Sequence, residues 1–372
     1  MKFRGAVLET VGASTPWQES KPITARELEL DPPGPGEVLV RMEAAGVCHS
    51  DLSRVSGVRE CAVPMLLGHE GAGIIEQLGP DCDEFEPGQK VTMTFMPRCG
   101  RCRACTGTGW ALCIEGTAAN AAGTLLGGER RIRMDGKLID HHGGVSAFAE
   151  YAVVDKHSLV TVPDEVPSDV AALLGCAILT GGGAVLNAAK VRDGESVAII
   201  GMGGVGLAAA LVACGIGAST IVAIDMVPSK LEKSLEIGAT QAMTPEQAAK
   251  TGVKFDVVIE CVGNPRALES AIALTKPGGR TVTVGLPSPA ARLEISPLSL
   301  VVEARQIIGS YMGSGIPADD IKLYAQMYLE GRLPVEKLIS GTIALEDINF
   351  AMDELNAASV IRQIVTFGSS GS

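Results

Sequence analysis

A glycine-rich turn between two apolar segments constrains the fold of this 372-residue chain more than any other feature. The stretch SVAIIG, residues 196–201, predicts a buried strand, and the apolar stretch that begins at Gly203 predicts a helix. Gly201, Gly203 and Gly206 lie at the junction with the spacing G-x-G-x-x-G. A strand, such a turn and a helix in succession place backbone N–H groups where they can bind a phosphate.

Strands and helices alternate after this turn. TIVAID and FDVVIECVG predict strands, and PSKLEKSLEIGA predicts an amphipathic helix with proline at its start and glycine after its end. This alternation predicts an α/β unit with a doubly wound parallel sheet, the Rossmann fold. Residues 1–175 are instead strand-like and rich in turns, so we expect a second, β-rich domain.

Asp225 ends the strand after the glycine turn, where an acidic residue accepts hydrogen bonds from the ribose of a bound dinucleotide. A carboxylate there repels a 2′-phosphate, so the sequence predicts NAD rather than NADP. A glycine-rich turn without a ligand is the alternative, and the complete pattern disfavours it. The NAD-binding residues predicted from this pattern are Gly201, Gly203, Gly204, Val205, Gly206 and Asp225.

Four cysteines lie close together in the segment CGRCRACTGTGWALC, residues 99–113. Four thiolates on one short loop fit tetrahedral zinc and leave no position for a substrate, which indicates a structural metal site. An iron–sulfur cluster is the main alternative; a redox dithiol and a nucleic-acid-binding zinc ribbon are the others. The predicted ligands are Cys99, Cys102, Cys105 and Cys113.

Charge and cysteine content limit the partners of the chain. Its net charge is −12 and no run rich in Lys and Arg occurs, which disfavours nucleic acid. No apolar stretch approaches the roughly 18 residues of a membrane span, and MKFRGAVLE lacks the apolar core of a signal peptide. We therefore expect a cytoplasmic protein whose clustered cysteines bind metal rather than form disulfides.

Cys48 stands beside a histidine, a serine and an aspartate in GVCHSDL, a combination that occurs in nucleophilic enzymes and in metal sites. His69 and Cys176 would add an imidazole and a second thiolate. Three such ligands leave a fourth position on zinc for water or substrate, as catalytic zinc requires. The sequence does not show that Cys48, His69 and Cys176 lie together, because they are far apart along the chain. Isolated cysteines are also more often packing residues than metal ligands.

The motifs GVCHSDL, GHEGAG, the four-cysteine loop, GCAILTG and GMGGVG follow one another as in zinc-dependent medium-chain alcohol dehydrogenases. The chain resembles this family from about residue 5 to Phe367. The resemblance implies a GroES-like β-rich catalytic domain, residues 1–177 and 312–372, and a Rossmann NAD-binding domain, residues 178–311.

The resemblance also implies two zinc ions per chain, one catalytic and one structural. It assigns the catalytic zinc to Cys48, His69 and Cys176, the Cys₂His set known from alcohol dehydrogenases. Asp51 matches the carboxylate that hydrogen-bonds the zinc-bound histidine, and Glu70 matches a second carboxylate near the metal. Ser50 matches the hydroxyl that takes the alcohol proton, and three basic residues match coenzyme contacts: His49, Lys230 and Arg362. The implied substrate-pocket residues are Ser50, Arg59, Phe95, Gly143, Leu286 and Tyr311.

The implied activity is reversible hydride transfer between NAD and a small primary alcohol or aldehyde. Gly143 is small where many members are bulky, which indicates a pocket for longer or aromatic alcohols. In many members of the family a histidine at the position of Ser53 completes the proton relay, whereas this chain has a serine there. A thiol-dependent formaldehyde dehydrogenase on the same scaffold is the alternative, although Gly57 and Arg59 replace acidic residues of the glutathione-dependent class. A non-catalytic NAD- or zinc-binding protein is disfavoured because no ligand is missing.

Two further expectations concern residues 114–144. This segment resembles the insertion of the longer, usually dimeric members, so we expect a homodimer whose dinucleotide domains continue their sheets across a two-fold axis. His141 and His142, near its end, are expected to be loop residues without a role.

Overall fold

The computed structural model describes residues 1–107 and 110–368, which form two compact units. The first unit contains Met1–Cys176, Pro317–Ala325 and the C-terminal segment from Ile339; the second contains Ala177–Ile316 and Gln326–Leu338. This division differs from the predicted domain boundaries, because residues 312–316 and 326–338 belong to the second unit. Within that unit, the Arg332 backbone carbonyl lies so close to Gly215 that a Cβ on the glycine would be 2.7 Å from it.

The described residues contain nineteen strands. In chain order they are β1 (Lys2–Leu8), β2 (Ile23–Leu30), β3 (Glu37–Gly46), β4 (Met65–Leu66), β5 (Gly71–Leu78), β6 (Lys90–Met93), β7 (Ile132–Met134), β8 (Lys137–Leu138), β9 (Asp140–His141), β10 (Tyr151–Asp155), β11 (Leu159–Thr161), β12 (Ser196–Ile200), β13 (Thr220–Ile224), β14 (Gln241–Met243), β15 (Phe255–Glu260), β16 (Thr275–Thr283), β17 (Gln306–Gly309), β18 (Ile339–Ile343) and β19 (Arg362–Thr366).

The described residues contain twelve α-helices, counting Ser168–Ala188 as one. They are α1 (Trp17–Ser20), α2 (His49–Val55), α3 (Arg103–Thr106), α4 (Ile114–Ala121), α5 (Ser168–Ala188), α6 (Gly204–Gly215), α7 (Pro228–Glu236), α8 (Pro245–Thr251), α9 (Pro265–Leu274), α10 (Pro297–Glu303), α11 (Pro317–Leu329) and α12 (Ile348–Asn356). Single 3₁₀ turns occur at Lys156–Ser158, Met312–Ser314, Val335–Leu338 and Leu345–Asp347.

The second unit is built on one six-stranded sheet in the order β14-β13-β12-β15-β16-β17. Every pairing in it is parallel. The central strand β12 is apolar and almost completely buried, as expected of a strand covered on both faces. This order is that of a doubly wound dinucleotide-binding sheet, and the predicted Rossmann architecture is confirmed.

The first unit contains two mainly antiparallel sheets. One has the order β8-β7-β2-β1-β4-β9, and the other has the order β11-β6-β5-β3-β19-β18, with β10 also paired to β3. The long strand β3 is central, because its first half pairs with β10 and its last residues pair with β19. A shared apolar core that includes Trp17, Val40 and Phe148 holds this β-rich unit together.

Helix α5 corrects one expectation from the sequence. It is 21 residues long and apolar enough to cross a membrane by length and composition, although no such stretch was predicted. The structure buries 83% of its apolar window inside the protein, which is the environment of a core helix. Glycine and alanine residues extend this helix through Ala188.

Candidate active site

Cys48, His69 and Cys176 converge in the first unit, together with Glu70. One ligand atom from each of these four residues lies within 4.8 Å of all the others, and all four residues are buried. Within the described residues, His69 Nε2 and both Glu70 carboxylate oxygens have no hydrogen-bond partner. Buried polar atoms without partners are costly, so this cluster is incomplete without a further group. Two thiols and an imidazole nitrogen fit a zinc ion.

Three different local structures deliver these ligands. Cys48 is the residue before the first turn of α2, and His69 lies between β4 and β5. Cys176 lies in Leu174–Ile178, a π-helical segment of α5. π-Helical turns change the direction of side chains along a helix and are frequent at functional sites.

Asp51 fixes the orientation of two of these ligands. Its Oδ2 accepts a hydrogen bond from the Cys48 backbone N–H at 2.9 Å, and its Oδ1 is 2.9 Å from His69 Nδ1. The Asp51 side chain is completely buried. A carboxylate that accepts the Nδ1 proton leaves the Nε2 lone pair of the imidazole available for a metal.

Arg362 supplies positive charge beside the ligand cluster. This buried residue of β19 places Nη1 3.2 Å from Glu70 Oε1 and donates a hydrogen bond to the Val47 carbonyl. A hydrogen bond with the Cys176 thiol lowers the pKa of Cys48, with a further contribution from the Arg362 charge. Burial raises the pKa of Glu70 to about 8, while Arg362 opposes the rise. The surroundings therefore favour a thiolate at Cys48, the form of cysteine that binds metals.

The four predicted structural ligands also form one cluster. Their sulfur atoms lie within 4.8 Å of one another. Cys102 Sγ is 3.5 Å from Cys105 Sγ and 4.0 Å from Cys113 Sγ, and Cys99 Sγ is 3.9 Å from Cys105 Sγ. A tetrahedron with Zn–S bonds of about 2.3 Å separates its sulfur atoms by about 3.8 Å. The cluster fits a metal with four thiolate ligands, and all four cysteines are free thiols.

The glycine turn of the second unit has the geometry of a phosphate site. Gly201 has a φ of +93°, and Gly203 precedes the first turn of α6 without a side-chain cap. A Cβ on Gly203 would meet no atom within 4 Å, so a ligand can approach the backbone there. A Cβ on Gly206 would lie 1.9 Å from the Gly201 carbonyl oxygen, which only glycine permits. Gly204 and Val205 form the first turn of the helix, whose amide groups favour an anion.

Asp225 lies beside this turn and is half-buried. Its carboxylate accepts hydrogen bonds from the backbone N–H groups of Met202 at 2.6 Å and Val227 at 2.9 Å. A carboxylate has about four lone-pair positions, so it can accept further bonds from a ligand. Lys230 follows in the first turn of α7. His49, the third predicted coenzyme contact, is the exposed first residue of α2 in the first unit.

Two of the predicted pocket residues lie beside His69. The Phe95 ring meets the His69 ring edge-on, with centroids 5.2 Å apart. Gly143 has a φ of +61°, and a Cβ there would lie 2.8 Å from Phe95 Cβ. Glycine at position 143 therefore allows the loop to pack against Phe95. From the sequence alone, the small size of Gly143 had indicated only space for a substrate.

The other predicted pocket residues are divided between the units. Ser50 is half-buried in the first turn of α2, and the backbone N–H of half-buried Arg59 donates to the Ser53 carbonyl. Leu286 and Tyr311 belong to the second unit, where they follow β16 and β17. These strands are parallel neighbours, so both residues lie at the edge of the sheet that also carries the glycine turn.

The loop expectation holds for His142, which follows β9, but not for His141, and the burial of both residues was not expected. His141 belongs to β9, and His142 is buried beside the ligand cluster, with its ring centroid 5.0 Å from that of His69. His142 Nδ1 is 3.3 Å from Asp51 Oδ1, and His142 Nε2 accepts a hydrogen bond from Arg54 Nε at 2.8 Å. Sequence reasoning missed both His142 and Arg54, because the glycine-rich segment after His142 suggested only a surface loop.

Comparisons with known proteins agree with this geometry. Over 364 residues the chain is 35% identical to an alcohol dehydrogenase class-3 of Myxine glutinosa, covering 95% of this chain and 96% of that protein. An alcohol dehydrogenase zinc-binding domain protein of Burkholderia ambifaria has a TM-score of 0.92 and 32% identity, over 99% of this chain and 100% of that one. Benzyl alcohol dehydrogenase of Acinetobacter calcoaceticus has a TM-score of 0.90 and 29% identity, with the same coverage.

Two family matches cover most of the chain. Residues 34–164 match the alcohol dehydrogenase GroES-like domain, and residues 204–329 match the zinc-binding dehydrogenase domain. The chain therefore belongs to the zinc-dependent medium-chain alcohol dehydrogenase family and is an NAD-dependent oxidoreductase. The fold predicted for the first unit, a GroES-like β-rich domain, is confirmed.

The glycine turn yields a test with a matched pair of variants. Gly206→Ala places a methyl group against the Gly201 carbonyl, and we expect it to lower the free energy of unfolding by about 1–3 kcal/mol. Gly203→Ala meets no atom and has a negative φ, so we expect native stability but weaker NAD binding. Chemical denaturation and titration with NADH would measure both. Equal stability of the two variants would contradict the assignment of Gly206 to packing.

Proposed function

We propose that this protein interconverts longer-chain or aromatic primary alcohols and their aldehydes by hydride transfer to and from NAD. The observation that carries the proposal is the convergence of Cys48, Cys176 and an unpartnered His69 Nε2 in one buried cluster. Three ligands of this kind suit a metal with one position open to a substrate. Zinc held there would supply a Lewis acid that lowers the pKa of an alcohol hydroxyl.

The surrounding side chains then divide the remaining tasks. The Ser50 hydroxyl, two residues after Cys48, takes the alcohol proton. The Ser53 hydroxyl donates a hydrogen bond to the His49 carbonyl at 2.8 Å. It therefore does not replace the relay histidine as a proton acceptor. We therefore propose that the proton leaves Ser50 through water. Asp51 holds His69 in the tautomer that binds metal.

NAD is the proposed hydride acceptor, and the second unit supplies its main binding groups. The α6 N-terminus would hold the pyrophosphate, and Asp225 would accept the ribose hydroxyls. Lys230 would lie near the same ribose. The buried ion pair of Arg362 with Glu70 supports a role in the balance of charge at the metal site.

Two features support an aromatic or extended substrate. The Phe95 ring beside His69 offers an apolar surface for such a substrate. The 29% identity to a benzyl alcohol dehydrogenase supports the same choice. Ser50 and Arg59 are the other proposed pocket residues of the first unit.

A homodimer is the proposed assembly. Helix α10 exposes 70% of Leu298, 79% of Val301 and 72% of Val302, and β17 beside it is an edge strand of the described sheet. An apolar face next to a free strand edge is a favourable surface for a second copy of the sheet. A reducing cytosol is the proposed location, because metal-binding thiols must stay reduced.

The substrate proposal is tested by NADH formation from NAD⁺ with ethanol, long-chain alcohols, benzyl alcohol and cinnamyl alcohol. We expect kcat/KM to be higher for benzyl alcohol than for ethanol, and turnover with NADP⁺ to be much lower. Cys48→Ala should abolish turnover. Formaldehyde with and without low-molecular-weight thiols forms a second arm. Activity confined to formaldehyde plus a thiol would replace this proposal by the thiol-dependent alternative, and preference for ethanol would exclude the roomy pocket.

The zinc count is tested by elemental analysis of the purified protein. We expect about two zinc ions per chain, and about one after Cys105→Ser, because a site with three thiolates loses affinity. The same variant should unfold at lower temperature, since metal binding is coupled to folding. Cys214→Ser, at an exposed cysteine, is the control and should change neither quantity. Iron in place of zinc would favour the iron–sulfur alternative.

The assembly is tested by light scattering on Val301→Asp. Charge on the exposed face of α10 should convert a dimer into a monomer of 38.4 kDa. Val58→Asp, at a residue with 80% exposure in the first unit, is the matched control and should leave the dimer intact. A wild-type protein that is already 38.4 kDa in solution would refute the dimer.

A further inference from the structure

A second imidazole lies next to the proposed zinc ligand His69, and the mechanism above does not use it. His142 is 4% exposed, and its ring centroid is 5.0 Å from that of His69. Its two nitrogen atoms face groups of opposite charge. Nε2 is 2.8 Å from Arg54 Nε, and Nδ1 is 3.3 Å from Asp51 Oδ1.

The arginine determines which nitrogen of His142 carries the proton. A guanidinium group only donates hydrogen bonds, so His142 Nε2 must be the unprotonated acceptor. A neutral imidazole then has its proton on Nδ1, directed to the side of Asp51.

The backbone around His142 is held firmly. The His142 N–H lies 3.0 Å from Ser146 Oγ, and that hydroxyl donates to the Leu66 carbonyl at 3.0 Å. The Val145 N–H in turn donates to the His142 carbonyl at 3.1 Å. These bonds fix the imidazole relative to the loop that leads to His69.

We propose that Arg54 and His142 are positioning residues that orient the Asp51 carboxylate. Through Asp51 they hold His69 with its Nε2 directed at the metal. The chain of contacts runs from half-buried Arg54 to His142, then to Asp51, and ends at His69. The inference rests on the proposed function, because it requires a metal at Cys48, His69 and Cys176.

The expected size of the effect follows from the distance to the metal. Partners that hold a metal-binding histidine typically change metal affinity or activity by about 10–100-fold. His142 acts one contact further out than Asp51. We therefore expect about tenfold faster loss of zinc when its hydrogen bond with Arg54 and its 3.3 Å contact with Asp51 are removed.

Three variants separate hydrogen bonding from packing. His142→Phe keeps a ring against His69 but removes the nitrogen bonded to Arg54 and the nitrogen that faces Asp51. His142→Asn offers an N–H near the position of Nδ1, and Arg54→Met removes only the donor to Nε2. His157→Phe is the control, because His157 Nδ1 is 2.7 Å from Asp155 Oδ1 in an imidazole–carboxylate pair outside the metal-ligand clusters.

The readout is the rate at which zinc passes to a colorimetric chelator, with the four-cysteine site as internal reference. The Co²⁺-substituted proteins add a ligand-field spectrum, which reports the geometry of the ligands. We expect release from the Cys48 site to be about tenfold faster for His142→Phe, less so for His142→Asn and Arg54→Met, and unchanged for the control. The double variant Arg54→Met, His142→Phe should release zinc no faster than His142→Phe alone, because both residues act through the same series of contacts to Asp51.

The outcomes distinguish the inference from the proposed function. Wild-type zinc release and an unaltered Co²⁺ spectrum in folded His142→Phe would overturn the inference and leave the enzyme proposal intact. A wild-type protein without metal at the Cys48 site would overturn both. If His142→Phe does not fold, the other two variants decide. Unchanged zinc release from the Cys48 site in both His142→Asn and Arg54→Met overturns the inference, and faster release in Arg54→Met supports it.

Discussion

The buried carboxylate of Asp51 is the group on which the metal site of the first unit depends. It accepts hydrogen bonds from the Cys48 backbone and from His69, two residues that belong to different elements. A completely buried carboxylate is stable only when donors surround it, so these elements cannot separate without a large energetic cost. The same bonds that stabilise the charge therefore set the directions of two metal ligands. The Glu70–Arg362 pair, also buried, balances charge on the other side of the cluster.

The second unit binds its ligand by a different physical means. Its site consists of backbone groups at the start of α6 and depends on small residues rather than on charged ones. The absence of a side chain at Gly206 brings the helix against the Gly201 carbonyl, and Asp225 accepts the Met202 N–H from the same turn. One carboxylate thus connects the ends of β12 and β13. The backbone of this turn is therefore fixed by contacts within the second unit.

Where the sequence reading failed, the reason was long-range packing. The segment DHHGG has the composition of a loop, yet β9 pairs in parallel with β4 and delivers His142 to the site of His69. No apolar stretch of about 18 residues was expected, but α5 is such a helix, and 83% of its apolar window is buried inside the protein. Arg362 was assigned only to a coenzyme contact, and its pairing with Glu70 depends on the antiparallel match of β19 to β3.

The sequence alone determined the features whose causes are local. Alternating strands and helices fix a parallel sheet, the glycine spacing fixes a phosphate-binding turn, and four cysteines within fifteen residues fix a metal loop. The residues by themselves did not connect Cys48, His69 and Cys176, which the family resemblance assigned to one zinc and the tertiary structure brings together. Only the tertiary structure placed His142 and Arg54 behind Asp51. The reason is physical: a turn or a short loop brings its own residues together, whereas ligands far apart in sequence meet only when the sheets and α5 pack around a common core.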